Sequence, residues 1–148
     1  MALRVAINGF GRIGRLVYRA MLANDFYDGA IEIVAVNDLV PAENLAYLLK
    51  YDSVHRKLEE EVKALDENTI QVGEHIIKVM SERKHPSELP WYEHKIDLVI
   101  ESTGLFTKEE DAKGHLNSGV KKVVLSAPSE QQVPTVLVGV NHESAEPT

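Results

Sequence analysis

Three glycines stand at G-x-G-x-x-G spacing in Gly9-Phe10-Gly11-Arg12-Ile13-Gly14, directly after the apolar run Val5-Ala6-Ile7. Where a strand turns into a helix, each missing side chain has its own use. Gly9 permits the tight turn, Gly11 lets a ligand come close to the backbone, and Gly14 lets the helix lie against the strand it leaves. The free N–H groups of the first helical turn, near Arg12 and Ile13, then point at the ligand with the positive end of the helix dipole behind them, an arrangement that suits a pyrophosphate. A second apolar run, residues 31–36, ends in Asn37-Asp38. A carboxylate there can accept both hydroxyls of a ribose but repels a 2′-phosphate, so the expected cofactor is NAD rather than NADP. Alone, turn glycines and a turn-capping Asp38 are common features; the order strand, glycines, helix, strand, acid is what points to a dinucleotide site. Asn8 and Phe10, which flank Gly9, complete the candidate set at this turn.

The elements that must hold these residues can be read along the chain. Residues 3–7 form the first strand, and residues 12–23 the first helix, with Ile13, Leu16, Val17, Ala20 and Met21 at three- and four-residue steps as the stripe expected to pack on a sheet. The basic segment Arg12, Arg15 and Arg19 is explained by a small anionic ligand and a solvated helix face. Asn24-Asp25 and Asp28-Gly29 punctuate a loop, with Phe26 and Tyr27 expected to tuck over the helix end. The β-branched run 31–36 predicts a buried parallel strand. Residues 41–50 read as a helix with Leu45, Leu48 and Leu49 inward and Pro41 in its first turn. Segments 61–65, 69–72 and 76–80, separated by turn clusters, predict an antiparallel excursion from the sheet edge. Glu59-Glu60-Glu61 is solvated charge rather than a metal site, because consecutive carboxylates on an extended segment face alternate sides.

Further on, a short helix runs through Trp91, which reads as a core or docking residue. Residues 96–101 form a buried strand with Ser102-Thr103-Gly104 at its C-terminal end, where ligands bind in open α/β sheets. Thr107-Lys108-Glu109-Glu110 has capping-box spacing for a helix that Gly119 stops, and His115 on it reads as structural or solvated. Residues 122–125 make another strand, with the Ser126 hydroxyl at its C-terminal end, residues 129–133 a loop, and residues 135–140 the last strand. Together these elements predict an α/β fold of Rossmann type: a mostly parallel twisted sheet with helices on both faces and an antiparallel edge excursion.

Composition bounds the rest. A chain of 148 residues has the length of one domain, and no linker divides residues 1–148. With 16 basic against 23 acidic side chains and a net charge of −7, a nucleic-acid backbone is repelled overall. No run has the length of a membrane span and the N-terminus lacks signal-peptide layout, so the expectation is a cytoplasmic protein without membrane or nucleic-acid partners. Cysteine is absent, which excludes disulfides, thiolate metal sites and a cysteine nucleophile within this sequence; no catalytic residue and no metal ligand is assigned.

The stretch Asn8-Gly9-Phe10-Gly11-Arg12-Ile13-Gly14-Arg15 resembles the opening of glyceraldehyde-3-phosphate dehydrogenase. So do, in the family's order, Val36-Asn37-Asp38, Leu49-Lys50-Tyr51-Asp52-Ser53, Ser81-Glu82-Arg83, Glu101-Ser102-Thr103-Gly104-Leu105-Phe106, Lys121-Lys122-Val123, Ser126-Ala127-Pro128 and Gly139-Val140-Asn141. The resemblance implies that Arg83 lies beside the adenine, that Thr103, Gly104 and Phe106 lie along the adenosine and its ribose, and that Ser126 lies near the nicotinamide. It implies a full-length NAD-dependent, phosphorylating aldehyde oxidoreductase of glycolysis, assembled as a homotetramer, in which a cysteine thiolate beyond this domain attacks the aldehyde. The chain ends shortly before that cysteine is expected, so this NAD-binding domain, lacking its catalytic domain and neighbouring subunits, is predicted inactive alone and prone to self-association. An erythrose-4-phosphate dehydrogenase domain and a stand-alone interaction fragment are the alternatives. The family usually has a glycine after His55, where this chain has Arg56.

Overall fold

The computed structural model describes residues 1–24, 29–129 and 133–146. The first part of the chain runs β1 (Leu3–Asn8), α1 (Arg12–Ala23), β2 (Ile31–Asn37) and α2 (Ala42–Lys50). A small hairpin of β3 (Tyr51–Asp52) and β4 (Arg56–Lys57) leads to β5 (Val62–Asp66), β6 (Thr69–Val72) and β7 (His75–Met80). After two 3-10 turns come β8 (Leu98–Glu101), α3 (Glu109–Ala112) and β9 (Lys122–Leu125). Among the described residues seven strands share one sheet in the order β5-β6-β7-β2-β1-β8-β9. From β7 to β9 the neighbours are parallel, while β5, β6 and β7 pair antiparallel, so the excursion is hung on a sheet that is otherwise parallel.

This order decides where a ligand can sit. The chain leaves β1 to one side to make β2 and later returns to its other side to make β8. The connections after β1 and β8 therefore diverge, and a crevice opens at the C-terminal ends of the central strands. The period-two alternation of β1 builds both cores: Val5 and Ile7 join Tyr18, Ile33, Leu45 and Leu49 on the face covered by α1 and α2, while Ala6 joins Trp91, Ile96 and Val99 on the other.

Several expectations are corrected. On α1 the buried residues are Gly14, Tyr18 and Arg19, and Ile13 and Ala20 of the expected stripe are exposed. Gly14 lets the helix come so close to the glycine turn that the contact face is centred there, and Val17, Ala20 and Met21 border a shallow apolar hollow with Asn24 and Ile31. Arg19 is not on a solvated face: it is buried and donates to the carbonyls of Leu49, Lys50, His55 and Arg56, the last carbonyls of α2 and those of the hairpin. Leu48 is exposed, and Ala42 and Ala46 take inward places beside Leu45 and Leu49.

The segment around Trp91 is two 3-10 turns, Pro86–Glu88 and Trp91–His94, rather than one helix, because Pro90 interrupts it while Pro86 opens the first turn; Trp91 itself is fully buried as expected. β8 begins at Leu98, two residues later than expected, with Ile96 buried ahead of it. The capping box does not form, since Lys108 is the N-cap residue of α3 and no side chain caps it; the helix soon tightens into a 3-10 segment, Lys113–Ser118, which Gly119 ends in left-handed conformation. Residues 135–140 are not a strand. There the Asn141 side chain binds Leu137 N and Thr135 O, and Gly139, at φ 85°, turns the backbone back on itself. The positions expected for Phe26 and Tyr27, and residues 130–132 of the expected loop, lie outside the described residues.

Candidate functional site

The first helical turn is built around two close approaches. Gly9 adopts φ 89°, and a side chain on it would meet the backbone of Ser102 and Thr103 at 2.7–2.8 Å; one on Gly14 would collide with the Gly9 carbonyl. Gly11 is different, with nothing within 4 Å of the place its Cβ would occupy and no side chain capping the helix it begins. The start of α1 thus faces open space, with orphan first-turn N–H groups and the helix dipole behind them.

That space is a groove of about 580 Å³, within the range of ligand pockets. Of the sequence candidates, Asn8, Gly9, Gly11, Asn37, Asp38, Arg83, Ser102, Thr103 and Phe106 line it. Leu39, Glu82, Lys84 and Leu105 line it as well and were not singled out; each is adjacent in the chain to a residue that was. Asp38 bridges the turn, its Oδ2 accepting the Phe10 N–H at 2.9 Å and its Oδ1 the Val40 N–H at 3.0 Å. The Ser102 hydroxyl is buried in the groove wall without a hydrogen-bond partner among the described residues.

The remaining candidates do not line the groove. The Phe10 ring is buried edge-on against Tyr18, with centroids 6.3 Å apart. The Arg12 guanidinium pairs with Asp52 at 3.4 Å, and the Ile13 side chain is exposed to solvent. Gly14 packs beneath the turn, and Gly104 turns the chain at φ 72°. Ser126, at the end of β9, bonds through both its N–H and its hydroxyl to the Glu101 carbonyl.

Beneath the groove runs a buried chain of polar groups. The Trp91 indole N–H donates to His115 Nδ1 at 2.9 Å. An indole nitrogen only donates, so His115 accepts there and donates from Nε2 to Glu101 Oε2 at 2.7 Å. The Asn8 amide donates to the same oxygen at 2.7 Å, and Thr103 donates its N–H and hydroxyl to Glu101 Oε1 at 3.0 and 2.5 Å. Asn37 in turn donates to Asn8 Oδ1 at 2.9 Å and clasps the Glu82 backbone through both its N–H and its carbonyl. Burial pushes the Glu101 carboxyl up, yet the hydrogen bonds from His115, Thr103 and Asn8 outweigh it and hold the group below the usual carboxylate value. The side chains of Asn8 and Asn37 are therefore spent on one another, on Glu101 and on Glu82. Glu101 itself was not among the candidates, because two of its three donor residues, Asn8 and His115, lie 93 and 14 residues away in the sequence.

Among the described residues no group of three or more His, Asp or Glu side chains could hold a metal ion, and no helix is long and apolar enough to cross a membrane.

Residues 3–109 match the family described as "Glyceraldehyde 3-phosphate dehydrogenase, NAD binding domain". The chain is 52% identical over 140 residues to glyceraldehyde-3-phosphate dehydrogenase 1 of Bacillus cereus, covering 95% of this chain and 40% of that protein. It is 52% identical over 147 residues to glyceraldehyde-3-phosphate dehydrogenase of Geobacillus stearothermophilus, covering 99% of this chain and 42% of that protein. The corresponding Mycoplasma pneumoniae protein is 53% identical over 142 residues, with 95% and 40% covered. The chain thus spans about 40% of the length of the curated relatives it matches.

Proposed function

Because this chain belongs to the glyceraldehyde-3-phosphate dehydrogenase family through its NAD-binding domain, we propose that it forms a single NAD-binding domain and holds the dinucleotide in the groove over Gly11. The observation that carries this reading is the open space at Gly11, in front of an uncapped helix start and beside an acid that ends β2. The residues fit the group. First-turn N–H groups at Arg12 and Ile13 receive the pyrophosphate, and Asp38 accepts the ribose hydroxyls. Arg83 offers a planar guanidinium to the adenine from the wall opposite Thr103 and Phe106, and the unpartnered Ser102 hydroxyl supplies a further polar contact. Asn8 and Asn37 contribute as the floor, and Gly104 shapes the Thr103–Phe106 turn. Ser126, one strand further along the C-terminal edge, serves the nicotinamide end.

Held by these residues, NAD would supply a hydride acceptor to the whole enzyme. What these residues do is orient the cofactor and exclude water from its adenosine half. A sequence without cysteine provides no thiolate, so the acyl chemistry of a phosphorylating triose-phosphate dehydrogenase is assigned to residues outside these 148; the homotetramer and the cytoplasmic glycolytic setting are proposed for the whole enzyme. Isothermal titration of the chain with NAD and ADP-ribose tests the reading. Saturable heat that Gly11→Val abolishes is the expected result, and no heat from folded protein at millimolar ligand overturns it. Production of NADH from aldehyde and phosphate by the chain alone would overturn the assignment of the chemistry elsewhere.

A further inference from the structure

The buried polar chain is more than core filling, because both of its ends reach the groove walls. Glu101 Oε1 holds Thr103 on one wall through two donors, and Asn37 holds the backbone of Glu82, the residue before Arg83, on the other. Between them Asn8 links Glu101 to Asn37 at 2.7 and 2.9 Å. The connection is therefore continuous from one wall to the other, and the side chains between the walls are buried: Asn8 at 1%, Asn37 at 7%, Glu101 at 3% and His115 at 0% exposure. The orientation of Glu101 decides the geometry of the whole, since its two carboxylate oxygens collect donors from three residues. His115 fixes that orientation from behind, and Trp91, the sole tryptophan of the chain, fixes the ring of His115.

We infer that His115 is a positioning residue for dinucleotide binding, acting through Glu101 on Thr103 and, by way of Asn8 and Asn37, on the segment that carries Arg83. It touches no ligand. Its contribution is to supply the donor that keeps a buried carboxylate pointing where Asn8 and Thr103 need it, in the manner of outer-layer partners that orient ligand-contacting side chains. Without that donor the carboxylate is left short of one charge-assisted hydrogen bond and turns toward the wet groove to recover it. Both walls then lose their fixed spacing. This inference rests on the reading of the groove as the NAD site.

The test compares three substitutions in the 148-residue chain by titration with NAD and with AMP, alongside thermal melts. His115→Leu keeps the bulk but removes both polar atoms. His115→Gln keeps a donor that reaches Glu101 and an acceptor for the indole. Glu101→Gln is nearly isosteric and offers one acceptor atom where two are needed. The expected result is a loss of roughly tenfold in affinity for both ligands in His115→Leu and Glu101→Gln, and retention within about threefold in His115→Gln. A purely structural role predicts that His115→Leu and His115→Gln bind alike wherever both are folded, and that result overturns the inference. Should His115→Leu not fold, wild-type affinity in Glu101→Gln overturns it equally. If wild-type protein binds neither NAD nor AMP, the proposed function fails first and the inference falls with it, whereas binding that is indifferent to these residues refutes the inference alone.

Discussion

The Asp38 carboxylate accepts the Phe10 N–H at 2.9 Å, so the acid that ends β2 is bonded directly to the glycine turn that ends β1. In the proposed site, the group assigned to the ribose therefore also sets the shape of the turn assigned to the pyrophosphate. Asp38→Ala is expected to weaken NAD binding by roughly tenfold or more, the scale of losing hydrogen bonds to a charged acceptor. It also removes the charge that repels a 2′-phosphate, so the ratio of NAD to NADP affinity falls toward unity. Parallel titrations with the two cofactors measure this, and an unchanged ratio would show that selectivity resides elsewhere.

Gly11 and Gly14 separate binding from folding. A methyl group on Gly11 meets no atom within 4 Å in the ligand-free chain, and its backbone lies at φ −72°, which alanine adopts freely. Gly11→Ala should therefore melt within about 0.5 kcal/mol of wild type while losing most of its NAD affinity, because the methyl occupies the space over the helix start. A methyl on Gly14 runs into the Gly9 carbonyl and Ile7. Gly14→Ala should cost about 1–3 kcal/mol, as overpacking does. Denaturant melts and calorimetry on the two variants distinguish the roles, and equal destabilisation in both would contradict them.

Acid should loosen the hairpin of β3 and β4 through Asp52. Its Oδ1 accepts the His55 and Val54 N–H groups at 2.8 Å, and these, with Arg12 nearby, lower its pKa from 3.8 to about 2. The folded value lies below the unfolded one, so the contribution is fully present above 3.8 and is lost as the pH falls toward 2. Asp52→Asn cannot gain or lose it. The difference in melting temperature between wild type and Asp52→Asn should accordingly shrink as the pH falls through that window, and a constant difference would exclude the ionised carboxylate as its source.

The central strand β2 could be read from the chain because buried parallel strands are runs of β-branched residues, and Ile31, Ile33, Val34 and Val36 make residues 31–36 such a run. The turn at Gly9 was legible for a similar reason: only glycine tolerates φ 89° with another backbone 2.7 Å from its missing side chain. Periodicity failed on α1, where the close approach at Gly14 draws Tyr18 and Arg19 inward and leaves Ile13 outside. Arg19 looked like surface charge because its partners are carbonyls 30 to 37 residues away, and a carbonyl leaves no mark in a sequence. The same limit hid the floor of the groove. Glu101, His115 and Trp91 have no common spacing, and only the sheet order brings β1, β2 and β8 side by side. Residues 135–140 have the composition of a strand, but a strand also needs a neighbour, and here Asn141 satisfies the backbone instead.

Arg56 sits at φ 63°, in the left-handed region, at the position after His55 where a glycine was expected. Its side chain is exposed, and its carbonyl accepts from Arg19 Nη2 at 3.1 Å, a bond that any residue can supply. An L-residue in this conformation costs about 1–2 kcal/mol, of which glycine gives back about 0.5–1 through the greater entropy of its unfolded chain. Arg56→Gly should therefore stabilise the chain by about 0.5–1 kcal/mol, raising the melting temperature by a few degrees. Arg56→Ala is the control: it removes the same charge and the same long side chain but keeps a Cβ in the left-handed conformation. If Arg56→Ala stabilises as much as Arg56→Gly, the gain comes from removing the arginine side chain, and backbone strain is not its cause.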